Sequence, residues 1–173
     1  MSEDVTEHLR FPIGRFKPRN LSTSDDFIAD AGRIRALPLL LRKTVEDYDD
    51  RKLDTYYRPG GWTVRQVIHH LADSHLHAWI RIKWALTEDQ PVIKAYLEKS
   101  WAETPDHRFP VETSLRLLEA HHGRWADLLV ALSAEQADRT FHHPVSGADI
   151  TIRRMAELYA WHGEHHLAHC KLV

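Results

Sequence analysis

The segment Thr151–Val173, TIRRMAELYAWHGEHHLAHCKLV, constrains the fold more than any other stretch of the chain. Read as an α-helix at about 100° per residue, it places Ile152, Met155, Leu158 and Tyr159 on one apolar stripe. Continued toward the C-terminus, that stripe meets His162, His166, His169 and Val173, all within about 40° of Met155. The core-facing surface therefore changes from hydrocarbon to imidazole while the helix continues. Buried polar groups cost free energy unless they are paired, so partners must be supplied at this end of the helix. His165 falls about 80° to one side, and Glu164 and Ala168 point roughly outward.

Other helices follow from apolar periodicity and breakers. Residues 10–24 carry Pro12, Gly14 and Pro18 and read as an extended N-terminal arm. Phe27, Ile28, Ile34, Leu37, Leu40, Leu41 and Val45 recur at helical spacing and predict a helix from about Asp25 to Asp49. Pro38 should kink it or mark its true start. Arg58-Pro59-Gly60-Gly61 is a strong breaker, and Thr63-Val64-Arg65-Gln66 then fits a capping box opening a helix to about Thr87. Residues 88–110 form a long connection with a short helix expected around Val92–Ala102. A further helix is expected from Glu112 to Leu132, followed by a capping box at Ser133–Gln136. A turn or small hairpin is expected at 140–150, before the last helix begins near Thr151. Four long helices without a convincing strand pattern predict an all-α four-helix bundle. Residues 1–173 are expected to form one domain, with the long connection as a candidate crossover.

Composition narrows the function classes. The chain has 173 residues, with 23 Lys+Arg against 25 Asp+Glu, so it lacks the basic excess of a general nucleic-acid binder. The single cysteine, Cys170, excludes an intrachain disulfide and a cysteine-only zinc site. No apolar run approaches the roughly 18 residues of a spanning helix, and the acidic N-terminus lacks a signal pattern. These features predict a cytoplasmic protein that binds neither nucleic acid nor membrane. The 14 histidines are the anomaly, because histidine is the commonest metal ligand.

Helical phase sorts these histidines. His162 and His166 have the i, i+4 spacing that lets two imidazoles reach one metal; the competing reading is a polar helix end facing solvent. On the helix that starts at Thr63, the core stripe is Val64, Val67, Leu71, Ser74, Ala78, Ile82 and Ala85. His70 lies at its edge and is the better third ligand, with His75 or His77 as fallbacks. His69 points away from that stripe and, with His8 and His107, is expected to be solvated. Asp73, one turn past His70, is expected to point away from the core. His122, near the stripe of the 112–132 helix, fits either a place beside the metal or a core histidine bonded to a backbone carbonyl. Three neutral imidazoles leave coordination positions open, as catalytic zinc sites do. Zn²⁺, Ni²⁺, Co²⁺ and Fe²⁺ all accept such ligands. A metal so held lowers the pKa of bound water toward neutrality and deprotonates a bound thiol.

The segments YYRPGGWTVRQVIHHLADSH (Tyr56–His75), HGRW (His122–Trp125) and WHGEHHLAH (Trp161–His169) resemble the YfiT-like proteins of the DinB superfamily. FPIGRFKP (Phe11–Pro18) and LTEDQPVIKAYLEKSWAE (Leu86–Glu103) extend the resemblance over nearly the whole chain. It implies a four-helix bundle of the DinB/YfiT type holding one divalent transition metal, zinc or nickel, on His70, His162 and His166. It also implies a homodimer acting on a small-molecule substrate. His169 matches a family histidine and is expected beside the site or in its pocket. Members of this group are labelled metal-dependent hydrolases by analogy. Related ones are S-transferases that use a low-molecular-weight thiol such as bacillithiol. The sequence shows no Glu or Asp base adjacent to a ligand, unlike HExxH, which slightly favours thiol activation. The remaining alternatives are a non-catalytic metal-binding stress-response protein and a metal-free bundle in which the histidines serve as pH-responsive packing.

Overall fold

The computed structural model describes residues 3–173, with side chains from residue 6 onward. Four long helices carry the architecture: α2 (Ser24–Val45), α4 (Val64–Thr87), α6 (Glu112–Ala131) and α8 (Ile152–Cys170). Around them lie the short helices α1 (Glu3–Arg10), α3 (Asp50–Leu53), α5 (Glu98–Trp101) and α7 (Ala134–Ala137), and a 3₁₀ turn at Pro105–Arg108. The two strands β1 (Thr140–His143) and β2 (Ala148–Thr151) pair antiparallel as a small hairpin. The mostly helical fold expected from the sequence is present, and the 140–150 segment takes the hairpin alternative.

Local chemistry sets the boundaries. Thr63 accepts from the Gln66 amide while the Gln66 side chain accepts from the Thr63 amide, closing the expected capping box. Thr23–Asp26 forms a second box and starts α2 one residue earlier than expected. That helix ends at Val45 rather than at Asp49, where Asp49 instead caps α3. The short helix expected over Val92–Ala102 is confined to Glu98–Trp101, because Val92 bridges to His142 and continues the hairpin's edge. The helix Glu3–Arg10 was not foreseen.

Pro38 neither starts nor ends α2. Proline has no N–H, so the carbonyl of Ile34, four residues earlier, loses its helical donor. His122 Nδ1 donates to that carbonyl at 2.7 Å. A residue of another helix thus satisfies the acceptor that the proline leaves bare.

Side-chain pairings fix the topology. α2 packs on α6 and α8, and α4 packs on the same two. Arg33 meets Glu164, and Tyr48 reaches the Cys170 carbonyl, so α2 and α8 run parallel. His69 meets Ser114, and His75 stacks on His122, so α4 and α6 also run parallel. Two adjacent parallel helices need a connection as long as the bundle, which residues 88–111 provide. The crossover expected from sequence is therefore real.

The core is in two pieces. Phe27, Ile34, Ile82, Trp125, Leu129 and Met155 belong to one apolar cluster, and Leu41, Val67, Leu71, Leu118 and Leu167 to the other. On α4, α6 and α8 the gap between the clusters is filled by Ser74 and His75, by His121 and His122, and by the run starting at His162. Helix contact beside this layer is close: a Cβ on Gly163 would lie 2.5 Å from Leu37 Cδ2, whereas a Cβ on Gly123 would meet nothing within 4 Å. Gly163→Ala is expected to destabilise the protein by about 1–3 kcal/mol through overpacking. Gly123→Ala should be neutral or stabilising by up to about 1 kcal/mol, since alanine suits a helix better. Urea unfolding of both variants checks the pair, and equal stability of the two would refute this account of the α2–α8 contact.

Candidate metal centre

His70, from the first half of α4, and His162 and His166, one turn apart on α8, converge where these helices cross. One ligand atom from each lies within 4.8 Å of the other two. His70 Nε2 and His162 Nε2 are 3.4 Å apart, and the His162 and His166 ring centroids are 4.6 Å apart. All three are mostly withdrawn from water. Burial pushes the His70 pKa down to about 4. Burial, reinforced by neighbouring imidazoles, holds His162 and His166 well below the ordinary value. The triad is therefore neutral at pH 7, the form in which imidazole binds metals.

The outer nitrogens define which ring atoms are free. His169 Nε2 lies 3.2 Å from the Arg10 carbonyl, which only accepts, so this nitrogen carries the proton. His169 Nδ1 is then an acceptor and faces His166 Nδ1 at 3.2 Å. His166 must donate from Nδ1, which leaves its Nε2 bare. His162 Nδ1 pairs with His75 Nε2 at 3.1 Å. The bare His166 Nε2 suits a cation, and these hydrogen bonds orient the rings as partners of metal-ligating histidines do. The donor set fits a divalent transition metal with positions left open.

The triad forms the floor of a cavity of about 570 Å³. The breaker turn builds one wall. Gly60 takes φ +67°, a conformation that L side chains rarely adopt, and the turn brings Tyr57 and Trp62 together on either side of it. Tyr57 stacks on His169 at 4.0 Å, and Trp62 packs on His70 at 4.6 Å. The N-terminal arm adds Phe11 to the lining, packed on His165, and is tied to α8 further along by Phe16 on Trp161 and by the Arg19 amide donating to Glu157 at 2.7 Å. The crossover contributes Glu98, Lys99 and Glu103 to the rim, with Arg10 and Arg58 completing its charges.

The other sequence-selected histidines fall as follows. His169 lines the cavity and touches His166. His122 lies away from the cavity, stacked on His75 and bonded to the Ile34 carbonyl. His75 sits behind His162, and His77 stacks on Tyr96. The expectation that His69 and His107 are solvated is wrong. His69 is buried between Ser114 and the Phe109 carbonyl, and His107 is buried against Asp73. His69 lies on the outer face of α4, which the crossover covers, and His107 belongs to that crossover. Asp73 indeed turns away from the triad and serves His107. Sequence reasoning missed Tyr57, Trp62, Glu98 and Glu103; for the first two the signal was the pair of aromatics flanking Arg58–Gly61.

Residues 33–170 match the profile of the DinB superfamily. The chain belongs to the DinB superfamily. A protein of Oceanobacillus iheyensis named "Putative metal-dependent hydrolase" is 53% identical over 160 residues, covering 92% of each chain. A Bacillus cereus protein of the same name is 48% identical over 161 residues, covering 93% of this chain and 92% of its own length. Among solved structures, YfiT from Bacillus subtilis superposes with a TM-score of 0.91 at 44% identity, covering 94% of this chain and 93% of that one. YfiT is described as a probable metal-dependent hydrolase with an unusual four-helix bundle topology. The parallel neighbours and diagonal connections of this DinB-superfamily bundle agree with that description of topology.

Burial also sets an acid limit on stability. His121 and His122 are pushed from the ordinary 6.5 to about 4, chiefly by burial. Between those values the unfolded chain binds protons that the folded chain refuses, so stability is complete above about 6.5 and falls as pH drops toward 4. The metal-free protein is expected to lose about 1.4 kcal/mol per pH unit for each such histidine over that window. Urea midpoints in chelator at pH 7.5, 6 and 5 check this, and His122→Asn, which keeps a donor for Ile34, should flatten the slope. A midpoint unchanged from pH 7.5 to 5 would refute it.

Proposed function

We propose that this chain is a divalent-metal-dependent hydrolase whose metal, zinc or nickel, is held by His70, His162 and His166. The convergence of three neutral imidazoles, two of them hydrogen-bonded to outer histidines, on the floor of an open cavity carries this reading. When bound, such a metal acts as a Lewis acid and lowers the pKa of a coordinated water or thiol. The protein's own residues do the rest. His169 holds the tautomer of His166, and His75 orients the His162 ring. Tyr57 and Trp62 keep water from one flank of the triad. Glu98 and Glu103 place carboxylates in the cavity wall, one of which can accept a proton during attack on a carbonyl. These carboxylates supply the base that no ligand-adjacent residue provides, and they weigh for hydrolysis.

A second reading has one specific support. Arg10, Arg58 and Lys99 form a cationic rim, which suits an anionic low-molecular-weight thiol that would attack an electrophile as an S-transferase cosubstrate. On the family resemblance we further propose a cytoplasmic homodimer acting on small molecules. Among the described residues, no helix is long and apolar enough to cross a membrane.

Protein purified without an affinity tag is expected to carry about one equivalent of transition metal per chain. His162→Ala and His166→Ala should reduce this to under about a tenth. Chelation should lower the melting temperature of the wild type, by linkage. Wild-type protein with under about a tenth of an equivalent, unchanged by His162→Ala, refutes the site. Incubation of loaded protein with an ester and with an alkyl halide, each with and without thiol, separates the chemistries. Turnover by water alone supports hydrolysis, strict thiol dependence supports transfer, and no turnover leaves a binding protein.

A further inference from the structure

Two arginines of α4 are buried to the same degree and treated differently. Arg65 is 7% exposed and Arg81 is 6% exposed. Arg65 is answered by two carboxylates, Asp54 at 2.6 Å and Asp50 at 2.7 Å. Arg81 has no ion pair among the described residues. Its one acceptor is the Lys94 carbonyl, 3.5 Å from Nη2, and its Nε is buried with no partner at all. A guanidinium is almost never buried unless it is paired, and leaving it so is among the costlier arrangements a protein can keep.

Arg81 lines a second cavity of about 300 Å³ that shares His162 and Glu98 with the first. Tyr96 stands in the same wall, and its buried hydroxyl also lacks a partner. Tyr159 also lines this space: it accepts from Ser74 at 3.3 Å and its ring lies 5.3 Å from that of His162. A buried cation and a free hydroxyl thus face one small space on the far side of a metal-ligand candidate.

We propose that this cavity is an anion subsite that takes a carboxylate, bound by the Arg81 guanidinium with Tyr96 as second donor. The charge count selects a monoanion. One guanidinium neutralises one carboxylate, and its fork matches that group in a bidentate pair. The carboxylate of Glu98 on the same wall would repel the second charge of a phosphate. The cavity holds a short acyl chain and not a large ligand. Because His162 borders both spaces, a molecule anchored here by its carboxylate would present its other end to the triad. The proposed hydrolase would then act on a small carboxylic acid bearing a second, hydrolysable group. That last step rests on the metal-centre reading; the subsite itself does not.

Butyrate is a suitable probe, with inorganic phosphate as the comparison anion. Both are titrated by NMR into chelator-stripped protein, where a metal cannot hold the carboxylate, and into the metal-loaded protein. Butyrate should saturate both forms, with shifts at the Arg81 Nε–H and the Tyr96 ring, and phosphate should bind at least about tenfold more weakly. Arg81→Gln should weaken butyrate by about tenfold or more. Tyr96→Phe, which keeps the ring stacked on His77, should weaken it by about three- to fivefold. Glu98→Gln should strengthen it. The last two substitutions keep the test decisive if Arg81→Gln does not fold. Three results overturn the proposal: no saturation of stripped protein, binding indifferent to Tyr96→Phe and Glu98→Gln, or binding seen only with metal present. The metal content of the Tyr96 variant should match wild type, so failure of the subsite and failure of the metal centre are read separately.

Discussion

The structure depends on a layer of imidazoles that interrupts the hydrophobic core. A bundle of this size would ordinarily run one apolar seam from end to end. Here α4, α6 and α8 switch to histidine at the same height, and the seam becomes two clusters with a polar belt between them. Each buried nitrogen in that belt needs a partner, and much of the surrounding architecture supplies one. The proline in α2 bares the Ile34 carbonyl that His122 uses. The end of α1 brings the Arg10 carbonyl that fixes His169, and through it the tautomer of His166. The N-terminal arm is therefore part of the site's hydrogen-bonding and not an appendage to the fold.

Topology serves the same requirement. With α4 and α6 parallel, the chain must return along the bundle between them. The returning segment lies over the outer face of α4 and places Glu98, Lys99 and Glu103 beside the cavity. An up-down bundle with short loops would leave the triad open to water on that side. The breaker turn at Arg58–Gly61 closes another side, because the glycines let the chain reverse tightly enough for Tyr57 and Trp62 to stack on two different histidines.

What the sequence made legible follows from what helical periodicity can report. It gives the phase of a side chain on its own helix. That was enough to set His162 and His166 on one stripe, to prefer His70 over His75 and His77, and to turn Asp73 outward; the structure brings the first three together. Phase cannot say what else covers a helix. His69 points away from the bundle axis, yet it is buried because the crossover and Ser114 lie over it. His107 failed for the complementary reason, since a residue in an irregular connection has no phase to read. The cavity carboxylates were missed for that reason too. Periodicity also reports residue types and not hydrogen-bond direction, so the role of Pro38 in freeing a carbonyl for His122 was visible only when two helices were placed side by side.

The belt also explains why the site is poised for a cation and not for a further hydrogen bond. The Arg10 carbonyl can only accept, so the proton order along His169 and His166 runs one way and ends on a bare His166 Nε2. Burial keeps the rings neutral, the form in which imidazole offers a lone pair to a metal. Supplying a proton would require charging a buried imidazole, which the surrounding apolar clusters resist. A divalent metal would be held there without that cost, its charge shared by the donors and by whatever ligand enters from the cavity. The two hydrocarbon clusters on either side then do more than stabilise the bundle: by excluding water from both ends of the belt, they keep its nitrogens in the one protonation state that leaves the centre open to metal.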